Sequence, residues 1–412
     1  MTISTADLAG ETLATLDPAR PDRFADGSVH AIFDRLRREA PVHYCANSQF
    51  GPYWSICSHA DIVEIESQPQ LFSSEARHGG VSIIEASGDE TSAFESFIMM
   101  DPPHHGPKRR AIAPAFTPSE MARLSESIRA RTAAKLDTLP IGETFDWVST
   151  VSIDLTIDML AILFDFPWDE RHKLRVWSDA ITSLDMIANR PAERMGHMLE
   201  MAQRFYQLWQ ERAGQAPGPD LLSMMIHSPA LGQMDAQEFM GNMATLVVGG
   251  NDTTRNSMSG MIDAISRWPE EWEQLAADRT LIANAASEII RWQCPAAHMR
   301  RTALEGVEFR GHQIKAGDKL VLWYVSANRD EALFEDGARF RVNRPNARRH
   351  LSFGHGIHRC VGARLAELQL QILIEEMLDR NLRVDVAGPI DRAAHPFLSI
   401  INSLPVRVSK QK

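Results

Sequence analysis

Cys360 lies in the stretch Ser352–Gly362, SFGHGIHRCVG, among three glycines, two histidines and an arginine. A cysteine is ordinarily a small buried hydrophobe or half of a disulfide. A loop this polar and this rich in glycine suits neither role. Gly362 opens GARLAELQLQILIEEMLDR (362–380), whose apolar residues recur at three- and four-residue spacing. Cys360 is therefore expected near a helix N-terminus, where free N–H groups and the helix dipole favour a thiolate. His358 and Arg359 are expected to push the same way, and a thiolate in such surroundings is suited to ligate a metal.

Other clusters carry chemistry of their own. TLVVGGNDTTRNSMSG, inside the apolar segment 235–268, places Gly249, Gly250, Asn251, Asp252, Thr253 and Thr254 together. Each mid-helix glycine costs about 1 kcal/mol relative to alanine, so one reading is a break between two helices, with Asn251 or Asp252 as N-cap. The other is a distorted helix over a ligand, with Asp252 and Thr253 as a proton-relaying acid–alcohol pair. EIIR sets Glu288 and Arg291 at i,i+3, usually a weak surface pair. MDPPHHGPKRRAIAPAF (100–116) puts His105 and Arg109 four apart on one helix face, either as a solvated basic surface or as donors to an anionic group.

Two metal readings follow. Zinc could be held by His355, His358 and Cys360. Alternatively, Cys360 is the axial ligand of a haem whose propionates meet His105, Arg109, Arg301 and His358. Haem uses all the clusters; zinc uses one.

The surrounding chain reads as helical. Periodic apolar residues mark helices over 119–139, 192–213 and 285–292 besides 362–380. Short strands are expected at 42–46, 53–57 and within 306–325, with a last hairpin over 395–409. AGQAPGPD (213–220) is a connector. The 412 residues read as one α-rich domain, 1–412, with a small β region supplied by both ends of the chain and a polar, mobile segment over about residues 1–25. Four scattered cysteines without a CxxC pair exclude a disulfide framework and a zinc ribbon and point to a reducing cytoplasm. A net charge of −11 argues against nucleic-acid binding, and no apolar run reaches the length of a membrane span.

Taken together, the chain resembles the cytochrome P450 haem-thiolate monooxygenases from about residue 30 onward. Phe353, Gly356, Cys360 and Gly362 meet the family's ligand loop, Phe-x-x-Gly-x-x-x-Cys-x-Gly. Gly249, Gly250, Asp252, Thr253 and Thr254 meet Gly-Gly-x-Asp-Thr-Thr. Glu288 and Arg291 meet Glu-x-x-Arg, and His105 and Arg109 meet His-x-x-x-Arg. The resemblance implies a mainly helical P450 fold around heme b (iron protoporphyrin IX), with Cys360 as iron ligand and His105, Arg109, Arg301 and His358 at the propionates. It also implies Thr253 and Asp252 as the catalytic hydroxyl and proton relay, and Glu288, Arg291 and Arg344 as a structural network.

The soluble bacterial type is fed electrons from NAD(P)H through a reductase and a [2Fe-2S] ferredoxin. The basic residues Lys108, Arg110, Arg348, Arg349, Arg359 and Arg364 are expected to form its docking patch. Several stretches, among them FIMMDPPHH and VVGGNDTTRNSMSG, look like the bacterial alkane terminal hydroxylases. That likeness implies an apolar pocket of Ile83, Ile84, Leu246, Val248, Gly249, Ala297, Met299 and Leu398. Its expected substrate is a medium-chain alkane, with terpenoids or fatty acids as alternatives. A zinc-binding or haem-sensing protein without turnover is the remote alternative, disfavoured by the Asp252–Thr253 pair.

Overall fold

The computed structural model describes residues 11–84 and 95–410. Its axis is one helix, Ala236–Arg267, capped by Asp235, whose carboxylate accepts the Glu238 N–H. The Gly249–Thr254 stretch does not break it. Packing overrides local propensity there: at Gly250 a Cβ would lie 2.6 Å from Leu160, so the helix Ile153–Phe164 presses directly on that backbone. Thr156 of the same neighbour donates to the Asn251 side chain at 2.8 Å. Trp268 ends the central helix ahead of Pro269, which disfavours helical geometry at the residue before it.

The helix after the cysteine loop, Ala363–Asp379, packs against Pro118–Asp137 and Ile282–Gln293 and also meets the central helix. Leu370, Leu373, Ile374 and Met377 supply its fully buried stripe. A second apolar cluster joins Ile153–Phe164 to the helices His172–Thr182 and Pro191–Arg212. The stretch 213–220 does connect this last helix to the next, Leu221–Ile226.

The β structure is small and mixed. A five-stranded sheet runs in the spatial order Val42–Cys45, Tyr53–Ile56, Lys319–Leu322, Met299–Ala303, Phe72–Ser73. Tyr53–Ile56 and Lys319–Leu322 pair in parallel, with Trp54 opposite Leu320. Two sequence expectations need correction. Residues 395–409 are not a hairpin: Ile401–Ser403 pairs with Asp391–Arg392, while Pro405–Lys410 joins Leu382–Val386 and Thr144–Asp146. Nor is 11–25 a loose tail, because Leu16, Ala19 and Phe24 are buried and Asp17 accepts the Tyr53 hydroxyl at 2.7 Å. Residues 1–10 lie outside the described part.

Candidate active site

The cysteine loop is shaped by its glycines. Gly354 and Gly356 hold positive φ of 67° and 65°, and a Cβ on Gly356 would lie 2.4 Å from the Glu66 carbonyl oxygen. The Cys360 amide donates to Phe353 O at 2.7 Å, closing the loop on itself. Cys360 is deep in the fold yet accessible, the mark of a side chain that faces an internal space. Burial raises its thiol pKa, and the backbone N–H groups of Gly362 and Ala363 together with Arg109 and Arg359 pull the other way. The expected helix-terminus effect is present, and burial outweighs it.

The segment 100–116 reaches this loop. Arg109, on the helix His105–Ile112, donates through Nη2 to the carbonyl of Arg359. The His105 and His358 rings stand 4.3 Å apart. Both are expected from the sequence as cations, and burial lowers the pKa of both. It brings His105 down to about 4 with help from Arg109, and His358 to about 2 with help from Arg301, His105 and Arg109. His105 Nε2 and both ring nitrogens of His358 are buried without a hydrogen-bond partner. Buried polar atoms nearly always have partners, so these three mark a place for a polar group from outside the chain.

Arg301 lies close enough to His358 to help lower its pKa. Its Nη2 donates to Glu66 at 2.7 Å. Glu66 also accepts the Tyr324 hydroxyl at 2.5 Å and the His355 amide at 2.8 Å. Glu66 and Tyr324 were not found from the sequence, and no local pattern distinguishes them. Together they fasten the cysteine loop to the helix His59–Glu66.

Among the described residues no three His, Cys, Asp or Glu side chains gather as a metal-ligand group. This removes the zinc reading of His355, His358 and Cys360. The set fits haem instead: an accessible thiol for iron, and two unpartnered imidazoles beside a guanidinium for carboxylates.

On the central helix, Thr253 Oγ1 donates to Gly249 O at 2.8 Å. A Cβ built on Gly249 would meet nothing within 4 Å, so the helix borders open space there although most of its length is buried. Asp252 is fully buried and pairs with Arg255 at 2.8 Å. Thr182 donates to its carboxylate at 3.3 Å. Burial raises the Asp252 pKa against the pull of Arg255. Arg255 also pairs with Asp179, which is 42% exposed, so a chain of charge runs from the buried acid to the surface. Arg255 was missed in the sequence, although its i+3 spacing from Asp252 was a usable signal.

Glu288 holds Arg291 at 2.6 Å and Arg344 at 3.0 Å, all three buried. Of the residues expected in the pocket, Gly249 is accessible and Ile84, Val248 and Met299 are half-buried. Leu246 is mostly covered, and Ile83 and Ala297 have no accessible surface. Leu398 is nearly covered too, so these last three form packed wall. Arg110, Arg348, Arg349, Arg359 and Arg364 are exposed. Lys108 is not available as expected, because it is ion-paired with Glu238 on the central helix.

The family model described as "Cytochrome P450" matches residues 153–394, more than half of the chain. The chain belongs to the cytochrome P450 family. This P450 is 37% identical over 95% of its length to linalool 8-monooxygenase of Pseudomonas putida, covering 98% of that protein. Among solved structures it matches cytochrome P450-153 from Novosphingobium aromaticivorans with a TM-score of 0.90 and 48% identity, over 95% of this chain and 99% of that one. It matches CYP153D17 from Sphingomonas sp. PAMC 26605 with a TM-score of 0.91 and 52% identity, over 96% and 99%. The fold is that of a P450, and the protein is a haem-dependent monooxygenase that takes electrons from a redox partner and uses O2 and an organic substrate. No helix among the described residues is long and apolar enough to cross a membrane.

Proposed function

We propose that this P450 hydroxylates the terminal methyl group of a medium-chain alkane or similar apolar chain. The observation that carries the reading is the open space at Gly249, bordered along the same helix by Leu246 and Val248 and adjoining the Asp252–Thr253 pair. Leu246, Val248 and Gly249 offer no hydrogen-bonding side chain, which suits a substrate that has no polar handle. The likeness to two P450-153 structures over nearly the whole chain supports the same substrate class.

Bound haem supplies oxygen activation and one-electron chemistry. Cys360 holds the iron through its sulfur, which the N–H groups of Gly362 and Ala363 steady. His105, His358, Arg109 and Arg301 would take the haem carboxylates, and Arg301 also pairs with Glu66 beneath the loop. In the resting fold the Thr253 hydroxyl hydrogen points back to Gly249 O, so Thr253 must rotate before it can donate into the open space. Asp252, held by Arg255 and next to Thr253 in the chain, is assigned to relay protons toward it. Thr253→Ala is expected to keep haem and substrate binding while diverting most reducing equivalents to hydrogen peroxide. Product yield per NAD(P)H consumed checks this, and unchanged coupling removes Thr253 from the role.

The electrons are assigned to NAD(P)H, passed through a reductase and a [2Fe-2S] ferredoxin in the cytoplasm. The ferredoxin is assigned to Arg110, Arg348, Arg349, Arg359 and Arg364, exposed cations on an acidic protein. A terpenoid substrate is the second reading, favoured by the identity to linalool 8-monooxygenase. Titration of the haem-loaded enzyme with graded alkanes, fatty acids and terpenes, read as the Soret shift on loss of iron-bound water, separates the two. Tightest response to an alkane series together with terminal alcohol as product supports the first reading. A preference for terpenes replaces it with the second.

A further inference from the structure

Three segments distant in sequence, 81–84, 296–300 and 395–398, meet at one side chain. His298 has no accessible surface. Its Nε2 accepts the Ile83 N–H at 3.1 Å, and its Nδ1 donates to the Pro396 carbonyl at 2.9 Å. An imidazole that accepts at one nitrogen and donates at the other is neutral, with its proton on Nδ1. Burial holds it in that form, bringing its pKa down to about 3. The ring is wedged between Trp323 and Phe397, with centroids 4.9 and 5.2 Å away.

The backbone repeats the junction on both sides. Arg300 N donates to Val81 O at 2.8 Å, and Ala297 N to Phe397 O at 2.9 Å. Ala296 bridges Leu398. The 395–398 turn is tied in its other direction as well. His395 Nδ1 accepts the amides of Phe397 and Leu398 at 3.2 and 3.0 Å, while its Nε2 donates to Thr182 O at 3.0 Å. Thr182 is the residue whose hydroxyl touches Asp252. A leucine would fill the space of His298 without linking anything. An imidazole spent on backbone groups of two different segments fixes their spacing.

We infer that His298 is a positioning residue that sets the distance between the Ile83, Met299 and Leu398 segments, and through it which length and bend of apolar chain the site accepts. This rests on the reading of those segments as the wall of the substrate space. Both ring nitrogens of His298 are spent on backbone groups. It acts through the backbone it spaces.

The test uses the full-length haem-loaded enzyme and a graded series of N-alkylimidazoles, from butyl to dodecyl. Their ring nitrogen binds ferric iron whatever the natural substrate, so the tail alone samples the wall. His298→Gln reaches toward the Ile83 contact and His298→Asn toward the Pro396 contact, so each variant gives up one bond. Both are expected to keep the wild-type spectrum of the reduced carbon monoxide form, which reports intact haem seating. Both are expected to lose on the order of five- to tenfold affinity at the preferred tail length, the effect of one hydrogen bond. The preferred length is expected to move or vanish. An unchanged order of affinities in a variant with the wild-type spectrum overturns the inference.

Should neither variant take up haem, the unmodified enzyme decides by amide hydrogen exchange. Slow exchange at Ile83 and Leu398 that slows further with a bound long-tailed imidazole supports the clamp, and fast exchange at Ile83 overturns it. Failure of the alkane reading is seen separately. If wild type yields no terminal alcohol while the variants still shift the imidazole order, the substrate class is wrong and the role of His298 stands.

Discussion

Around Glu288 every buried donor has an acceptor, whereas around Cys360 buried ring nitrogens have none. Arg291 uses its whole guanidinium: two bonds to Glu288, and others to the carbonyls of Asn328, Gly337 and Arg339. Arg344 adds bonds to Glu288 and to the carbonyls of Glu335, Asp336 and Arg339. Nothing there is left for a ligand. His105 and His358, by contrast, lie buried with nitrogens unanswered, beside an accessible thiol. Saturation marks a part that holds shape, and unsatisfied burial marks a part that waits for a group from outside.

The contrast breaks most readily at its saturated side. Glu288→Ala leaves two buried guanidinium groups without their carboxylate, which typically costs ~3–5 kcal/mol. Both the haem-free and the haem-loaded chain are expected to lose that stability, seen as a lowered urea midpoint in each.

Acid breaks a different set of satisfied contacts. His298, His350 and His395 are buried and held below the usual histidine value, to about 3, 3 and 4, in each case chiefly by burial. Unfolded, each titrates near 6.5. Below that pH the unfolded chain binds more protons, so stability is full above 6.5 and falls as the pH drops. The slope is up to ~1.4 kcal/mol per pH unit for each group. Urea midpoints measured from pH 7.5 to 5 should decline, and His298→Gln should flatten that decline by one histidine's share.

The smallest effect carries the sharpest sign. His105→Leu removes a buried unpartnered nitrogen, so the haem-free chain is expected to gain about 1 kcal/mol. The haem-loaded enzyme should release haem faster, followed by transfer to apomyoglobin. Loss of stability in the haem-free variant would remove His105 from the unsatisfied class.

What the sequence disclosed follows the range of each interaction. The helix after Gly362, the His105–Arg109 spacing and the Glu288–Arg291 pair lie within a turn or two, so local pattern placed them on the right elements. Arg301 turns to Glu66, 235 positions away, and Arg255 to Asp179, 76 positions away. No local pattern announces such partners. The lowered pKa of His358 and the raised thiol of Cys360 lie beyond local pattern for a related reason. Neighbours in sequence supplied the cations, while burial, a property of the whole fold, decided the outcome. The apparent hairpin at 395–409 failed because two adjacent strands chose partners in separate sheets.

The parallel pairing of Tyr53–Ile56 with Lys319–Leu322 has a consequence for how the chain is made. Trp54 Nε1 bonds Asp318, 264 positions later. At the ~5–20 residues per second of translation, roughly 13–53 s separate the emergence of these partners from the ribosome. Through that interval the hairpin Val42–Cys45 and Tyr53–Ile56 presents an unpaired edge whose side chains are almost all buried in the finished sheet. Synthesis speed and chaperone supply, rather than the final stability of the sheet, are therefore the levers expected to set the yield of soluble enzyme during overexpression.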